Sequence, residues 1–335
     1  MNNVTPVGLL RDFSTQYASK YIITSEEPIG GGAYGTVFKA KDIDRDLDVA
    51  IKLYNEGLVP AGSERGWNLS SKTINHQIAP TYTIENFTSR GAEFKAVVSR
   101  FIPGKSLRST FEWCNNQSPE NKSRIADDLA FSFLPSLLEV LELCHSLRFG
   151  HGDLHDGNVM IVPTDISNRF EFSAVLIDFD NSSIQQNVFC STEKEKIEKD
   201  CRLFASRLGP YILMDWAWEK EVGNIFKSYN KIGDIRIAFD AILRFVELVK
   251  SNSVTQKNVL YILSNLVPYQ MNSFAPKATV DSLKAIAQKA GLGRQFADFF
   301  AVFEERLRDV SNMTVEVTII EDGHIKNPLY KNFFG

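Results

Sequence analysis

IGGGAYGTVFKAKDIDRDLDVAIK spans residues 29–52, and its meaning turns on what flanks the glycines. Gly30, Gly32 and Gly35 have the spacing G-x-G-x-x-G, with Val37 two residues further on. The same spacing marks dinucleotide folds, but there the glycines lie between a strand and a helix, with an acidic residue about 20 positions on. A glycine-rich turn with no ligand is the plainer alternative. Here β-type residues stand on both sides: YIITSEEPIG (21–30), TVFKAKD (36–42) and DVAIKLY (48–54) read as strands, the last two joined by the polar turn Asp42 to Asp46. Lys52, closing Val49-Ala50-Ile51-Lys52, falls on the strand after the loop, where its ammonium can reach phosphates that the loop covers. Glycine suits such a loop because the backbone must approach phosphate closely and use conformations that a Cβ disfavours.

A buried lysine beside phosphates needs an orienting carboxylate. The spacing of Glu64, Trp67, Ser71, Ile74 and Ile78 predicts a helix from Ser63, as N-cap, to about Gln77, with these residues on one face. Glu64 is then the candidate partner of Lys52, although an acidic residue in a first helical turn also suits the helix dipole. Glu56 is the other candidate, too close to the strand to turn back easily. TYTIENF and EFKAVVSRF read as a hairpin joined through Arg90-Gly91.

After Pro103-Gly104 helical periodicity takes over. A short helix is expected over 105–115 and a long one over 123–149, interrupted or kinked at Pro135, where proline removes a donor and clashes with the preceding turn. Further on, Ala238, Ile242, Phe245, Val246 and Val249 make one apolar stripe, and Phe296, Phe299, Phe300, Phe303 and Leu307 another. The tail TVEVTIIEDGHIKNPLY reads as a hairpin turning at Asp322-Gly323. No internal repeat or low-complexity linker interrupts the chain.

The 335 residues, 44% apolar and 11% aromatic, suffice for a large core. The net charge of -4 gives no electrostatic reason to expect nucleic acid or an anionic membrane as partner. Cys114, Cys144, Cys190 and Cys201 lack metal-ligand spacing and are expected to be reduced and mostly buried. With no basic-then-apolar leader and no run of about 18 apolar residues, a cytoplasmic protein is expected, a polar leader for delivery into another cell remaining open.

HGDLHDGNVM, residues 151–160, places Asp153 and Asn158 five apart in a loop that enters the strand Val159 to Val162. Asp178 follows in AVLIDFD, at the end of another strand running from about Phe172. One carboxylate can accept a hydroxyl proton, while a second, with the asparagine oxygen, can hold magnesium.

Glycine loop, VAIK, H-G-D-x-x-x-x-N and D-F-x, in this order, resemble the protein kinase-like superfamily over about residues 20–260. The N-lobe motifs look like those of eukaryotic-type serine/threonine protein kinases of bacterial type, and the catalytic loop resembles that of aminoglycoside phosphotransferases. The resemblance implies an α+β, bilobal kinase fold: a leader over 1–19, an antiparallel β-sheet N-lobe with one helix over 20–102, a mostly helical C-lobe over 103–265, and a helical extension with the terminal hairpin over 266–335. It implies that Ile29, Gly30, Gly31, Gly32, Ala33, Gly35 and Val37 cover ATP, with Ala50 lining its site. It further implies that Lys52 contacts the phosphates and pairs with Glu64, that Asp153 is the catalytic base, and that Asn158 and Asp178 bind magnesium. Ser99 would back the adenine pocket, Arg100, Phe101 and Ile102 would offer backbone hydrogen bonds to the base, and Asp200 would brace the catalytic loop.

Departures from the family pattern bear on the acceptor. Gly152 stands where many regulated kinases have an arginine, His155 where serine/threonine kinases usually have lysine, and Asp180 where Asp-Phe-Gly has glycine. A neighbouring anion would favour protonated His155, able to donate to the transferred group or to orient the loop. Asp200 comes only 22 positions after Asp178, without Ala-Pro-Glu between them. The reading is an ATP- and magnesium-dependent kinase acting on protein serine or threonine hydroxyls, itself included. Its alternatives are a phosphotransferase for a sugar or aminoglycoside and a catalytically silent binding module.

Overall fold

The computed structural model describes residues 5–60, 63–73, 75–147, 150–166, 169–182, 199–200, 318–319, 330 and 333. The chain divides into two compact units, Met1–Pro103 with Leu176–Ser191, and Gly104–Val175 with Thr192–Gly335.

The first unit is built on an antiparallel sheet. Its strands are β1 (Tyr21–Ile23), β2 (Gly30–Gly31), β3 (Gly35–Asp42), β4 (Leu47–Tyr54), β5 (Thr81–Ser89) and β6 (Ala92–Arg100), in the order β1-β3-β4-β6-β5, with β2 on β3. The β3–β4 turn has Asp42 accepting from the Arg45 N–H at 2.9 Å and Asp46 at φ 53°. The β5–β6 connection is the expected Arg90-Gly91 pair, both left-handed at φ 48° and 82°, as a two-residue turn matched to strand twist requires. Phe38 lies opposite Ile51, Ala40 opposite Val49, and Ile51 opposite Val98. Side chains alternate along a strand, so this register sends the apolar set to one face and Val37, Ala50, Lys52, Val97 and Ser99 to the other.

The apolar face is covered by helix α1 (Pro6–Gln16), capped by the Thr5 hydroxyl, which accepts from the Gly8 N–H. Leu9, Leu10 and Phe13 are buried against Phe38, Val49, Ile51 and Phe87. Burying each such side chain stabilises by about 1.5–3 kcal/mol. Along the edge, the Gln16 amide donates to the Thr88 carbonyl and accepts from the Thr88 N–H, serving β5 as a neighbouring strand would. The sequence sets 1–19 apart as a leader, whereas residues 6–16 form one wall of this core.

Helix α2 (Ser63–Lys72) is shorter than its expected end near Gln77. Asn75 Oδ1 accepts from the Gln77 N–H at 2.6 Å, drawing the chain into a turn, and Ile78 bridges Leu176 in parallel. Ser63 does not act as a cap: its hydroxyl donates to the Pro60 carbonyl. The buried stripe is Ser63, Gly66, Trp67 and Ser70, so the expected face is rotated and Glu64 points to solvent.

The second unit has strands β7 (Lys105–Ser106), β8 (Val159–Ile166), β9 (Arg169–Leu176) and β10 (Thr318–Ile319), with β8 between β7 and β10 and also paired to β9. Among the described residues its helices are α3 (Leu107–Asn115), α4 (Pro119–Asp128) and α5 (Leu134–Ser146). The long helix expected over 123–149 is interrupted near Pro135, as α4 and α5 joined by a π-helical segment, Leu129–Phe133; Pro135 stands in the first turn of α5, where its missing donor is tolerated. Ser132 and Ser136 accept the N–H groups of Phe172 and Ala174, satisfying β9 from the helix side. Leu129, Phe133, Leu137, Leu141, Val159, Ile161 and Phe172 form the buried interior.

Of the expected terminal hairpin, Thr318–Ile319 pairs with β8, and its turn lies outside the described residues, as do the stripes at 238–249 and 296–307. Cys114 and Cys144 are buried free thiols. No helix among the described residues is long and apolar enough to cross a membrane.

Candidate active site

In the first unit, β2 and β3 fold the glycine stretch into a tight hairpin. Ile29 N–H donates to the Val37 carbonyl and Gly32 N–H to the Gly35 carbonyl, both at 2.9 Å, leaving Ala33 and Tyr34 at the tip. None of Gly30, Gly31, Gly32 and Gly35 has positive φ, contrary to the expectation that this loop needs conformations closed to other residues. Only Gly35 is required by packing, since a Cβ there would lie 2.2 Å from the Leu53 carbonyl oxygen. At Gly32 a Cβ would meet nothing within 4 Å, and at Gly30 only Val37 at 4.0 Å.

Val37, Ala50, Lys52 and Ser99 share the sheet face opposite α1, as register dictates. Next to them, two of the three expected hinge donors are already used: Arg100 N–H donates to the Pro80 carbonyl and Phe101 N–H to that of Asp48. The expectation of a peptide donor for an adenine base therefore narrows to the buried Ile102.

Lys52 is the centre of a partly buried charge cluster. Its ammonium donates to Asp178 at 2.9 and 2.7 Å and to Asp180 at 2.6 Å. Asp180 also accepts from the Tyr54 hydroxyl at 2.5 Å and from the Trp67 indole N–H of α2 at 2.8 Å. Glu64 is not the partner of Lys52: it is 70% exposed and lies 3.4 Å from Lys95. Glu56 is exposed as well. Burial alone would lower the Lys52 pKa, but Asp178 and Asp180 outweigh it and hold the ammonium above its ordinary value. Burial, helped by the charge of Asp178, pushes the Asp180 carboxyl up against the pull of Lys52 and Tyr54.

The backbone explains how both carboxylates reach one ammonium. Leu176 is pinned by its N–H to the Gln77 carbonyl and by its own carbonyl to the Ala79 N–H. Asp178 then takes φ 61°, a left-handed conformation uncommon outside glycine, and a 3₁₀ turn, Phe179–Ser182, follows. Backbone outliers of this kind concentrate at functional sites.

In the second unit, the loop 150–158 is held by Asp200, whose fully buried carboxylate accepts from the N–H groups of His151 at 2.6 Å and Gly152 at 2.9 Å. Gly152 has φ 77°, a reason for glycine where an arginine would be strained. Lys199 donates to the Gly152 carbonyl. Asn158 donates its amide N–H to the Asp153 carbonyl at 3.0 Å, which leaves Oδ1 as the atom suited to a cation. Magnesium takes oxygen ligands, and the amide oxygen of Asn158 is a donor of that chemistry. Among the described residues there is no cluster of three or more His, Cys, Asp or Glu ready for a metal.

Of the two roles open to His155, its contacts fit the orienting of the loop. Its Nδ1 accepts from the Gly157 N–H at 2.9 Å, which leaves the other ring nitrogen to carry the proton, and Nε2 lies 4.0 Å from Asp153. Burial, with the charges of Arg108 and His151, lowers its pKa in spite of Asp153 and Asp156. Sequence reasoning missed Arg108, whose guanidinium donates to Asp156 at 2.6 and 3.2 Å. Burial would raise Asp156, but these bonds and the Arg108 charge hold it below its ordinary value.

Over about two fifths of its length the chain is similar to curated serine/threonine protein kinases. It is 25% identical over 142 residues to a probable serine/threonine-protein kinase of Dictyostelium discoideum, a match covering 40% of this chain and 10% of that protein. The similarity extends to bacteria. Serine/threonine-protein kinase PknA of Corynebacterium glutamicum is 25% identical over 150 residues, 43% of this chain and 30% of its own. The matches thus span less than a third of the length of these curated relatives. No family model matches the chain. The antiparallel sheet of the first unit is compatible with a kinase N-lobe.

Proposed function

We propose that the chain is a kinase of bilobal protein kinase-like fold that transfers the γ-phosphoryl group of ATP, with magnesium, to serine or threonine hydroxyls of proteins, its own included. The observation that carries this reading is Lys52 beside Asp178 at 2.7 Å, on the sheet face that also bears Val37, Ala50 and Ser99. The similarity to serine/threonine protein kinases supports it.

In this reading Val37 and Ala50 line the adenine site, with the Ile102 peptide offering a donor. The Gly30–Gly32 stretch lies over the phosphates, where its unhindered backbone permits close approach. Lys52 binds the phosphates. Asp178 and Asn158 hold magnesium, which supplies neutralisation of phosphate charge when bound. Asp153 takes the proton of the acceptor hydroxyl as its oxygen bonds to the γ-phosphorus and the bond from that phosphorus to the β–γ bridging oxygen breaks. Alignment and electrostatics carry most of such a transfer, so rigid holding of the loop by Asp200 and Arg108 belongs to the same mechanism.

A second reading, transfer to a sugar or aminoglycoside, is favoured by His155 two residues after Asp153 and by the short interval from Asp178 to Asp200. Purified protein incubated with magnesium and γ-labelled ATP, beside Asp153→Ala and Asp178→Ala, separates them. Label on protein that both substitutions abolish supports the protein-kinase reading. Label confined to a small alcohol moves the chain to the phosphotransferases, and ATP bound without turnover in any mixture makes it a binding module.

A further inference from the structure

We propose that Asp180, in place of a glutamate of helix α2, is the carboxylate that positions Lys52 for phosphate, with Tyr54 and Trp67 holding Asp180 for that task. The inference rests on the kinase reading and names a positioning residue that reading lacks. Asp178 and Asp180 both touch the ammonium, yet their surroundings differ. Asp178 is 32% exposed and accepts from Lys52 through both oxygens; Asp180 is 4% exposed and receives three donors from two elements of the same unit. Oδ2 of Asp180 serves Lys52 of β4 and the neighbouring Tyr54 hydroxyl, and Oδ1 serves the Trp67 indole of α2.

The difference assigns separate tasks. Were the accessible Asp178 to hold a divalent cation, its carboxylate would be drawn from Lys52, and Asp180, enclosed by its donors, would keep hold of the ammonium. Glu64 has no part in this, being exposed beside Lys95. Glycine at position 180 would remove the acceptor of two neutral donors and one charged one. Helix α2 is then connected to the lysine through an indole N–H, and the lysine's anchor sits two residues from the proposed metal ligand.

Magnesium-ATP affinity measured by calorimetry on the full chain tests the assignment in wild type, Asp180→Asn and Glu64→Ala. A hydrogen bond to a charged group is worth about 1.5–3 kcal/mol, roughly a 10- to 100-fold change in an equilibrium constant. Asp180→Asn is expected to weaken binding at least about tenfold and to raise KM for ATP, with KM for the acceptor unchanged, whereas Glu64→Ala stays within about twofold. A Glu64→Ala loss equal to or larger than that of Asp180→Asn overturns the proposal. The ¹⁵N-indole resonance of Trp67, assigned through Trp67→Phe, gives a readout that needs no nucleotide. It is expected to move in Asp180→Asn and to stay in Glu64→Ala; a resonance unmoved by Asp180→Asn overturns the clamp itself. Wild type that binds no ATP refutes the kinase reading instead, and is recognised as such because the indole signal still reports the clamp. Should Asp180→Asn lose the wild-type melting transition, Trp67→Phe takes its place, with ATP affinity expected to fall at least about threefold and an unchanged affinity overturning the proposal.

Discussion

Arg108 and Asp156 are joined three times: by side-chain bonds of 2.6 and 3.2 Å and by the Arg108 N–H to the Asp156 carbonyl at 3.0 Å. The pair ties the start of α3 to the loop that carries Asp153 and Asn158. Arg108→Ala leaves the 7%-exposed carboxylate without its guanidinium. The expected cost is about 1–3 kcal/mol, toward the lower end because the arginine side chain is 56% exposed and water replaces part of the interaction. Thermal melts read the loss, and phosphoryl transfer is expected to fall further than stability because the loop geometry loosens. Arg108→Lys, keeping charge without the fork, is expected to fall between the two.

Phe13 is fully buried between Tyr17, Tyr21 and Phe87, with ring centroids 4.9–5.8 Å away. Phe13→Ala is expected to destabilise the protein by about 3–5 kcal/mol, measured by urea denaturation. A change below about 1 kcal/mol would show that α1 does not contribute to the sheet core in solution.

Two glycines of one motif should respond in opposite ways. Gly35→Ala drives a Cβ into the Leu53 carbonyl and is expected to lower the melting temperature sharply. Gly32→Ala meets open space and is expected to melt as wild type does, while weakening ATP binding if the loop lies against phosphate. Equal melting of both variants would contradict the β3–β4 packing.

His76 has a buried Nε2 with no hydrogen-bond partner among the described residues. Burial, then the Arg100 charge, lowers its pKa from the ordinary 6.5. The unfolded chain therefore binds a proton that the folded one resists, so the contribution of His76 to stability is complete above about pH 6.5 and declines as pH falls below it. Urea melts at pH 7 and 5.5 are expected to show this decline, and His76→Gln is expected to make the dependence flatter.

Much of the sheet unit was legible because its information is local. Alternation placed Val37, Ala50 and Lys52 together, and Arg90-Gly91 announced its turn. The buried side of α2 was not legible: periodicity counts large apolar residues, and this helix buries Ser63, Gly66 and Ser70 around one tryptophan. The choice of Glu64 for Lys52 failed for the same reason. Asp180 could be noticed only as an aspartate in an unusual place, since its donors lie 113 to 128 residues away. Arg108 carried no signal, because an arginine after a turn reads as a solvated residue until the loop folds beside it. The packing of α1 was concealed by a polar start, although Leu9, Leu10 and Phe13 lie one helical turn apart.

The π-helical segment at Leu129–Phe133 fixes an angle as well as a path. An α-helix advances about 100° per residue, and a π turn accommodates one residue more than the α turn it interrupts. Everything downstream is thereby phased by that single residue, including Leu137, Leu138, Leu141 and Cys144, all buried. Deleting one residue between 129 and 133 would straighten the helix and rotate that quartet by more than a quarter turn, carrying Glu139 and Glu142 toward the interior in its place. The irregular segment thus acts as a phase element, through which one residue decides which side of α5 faces water.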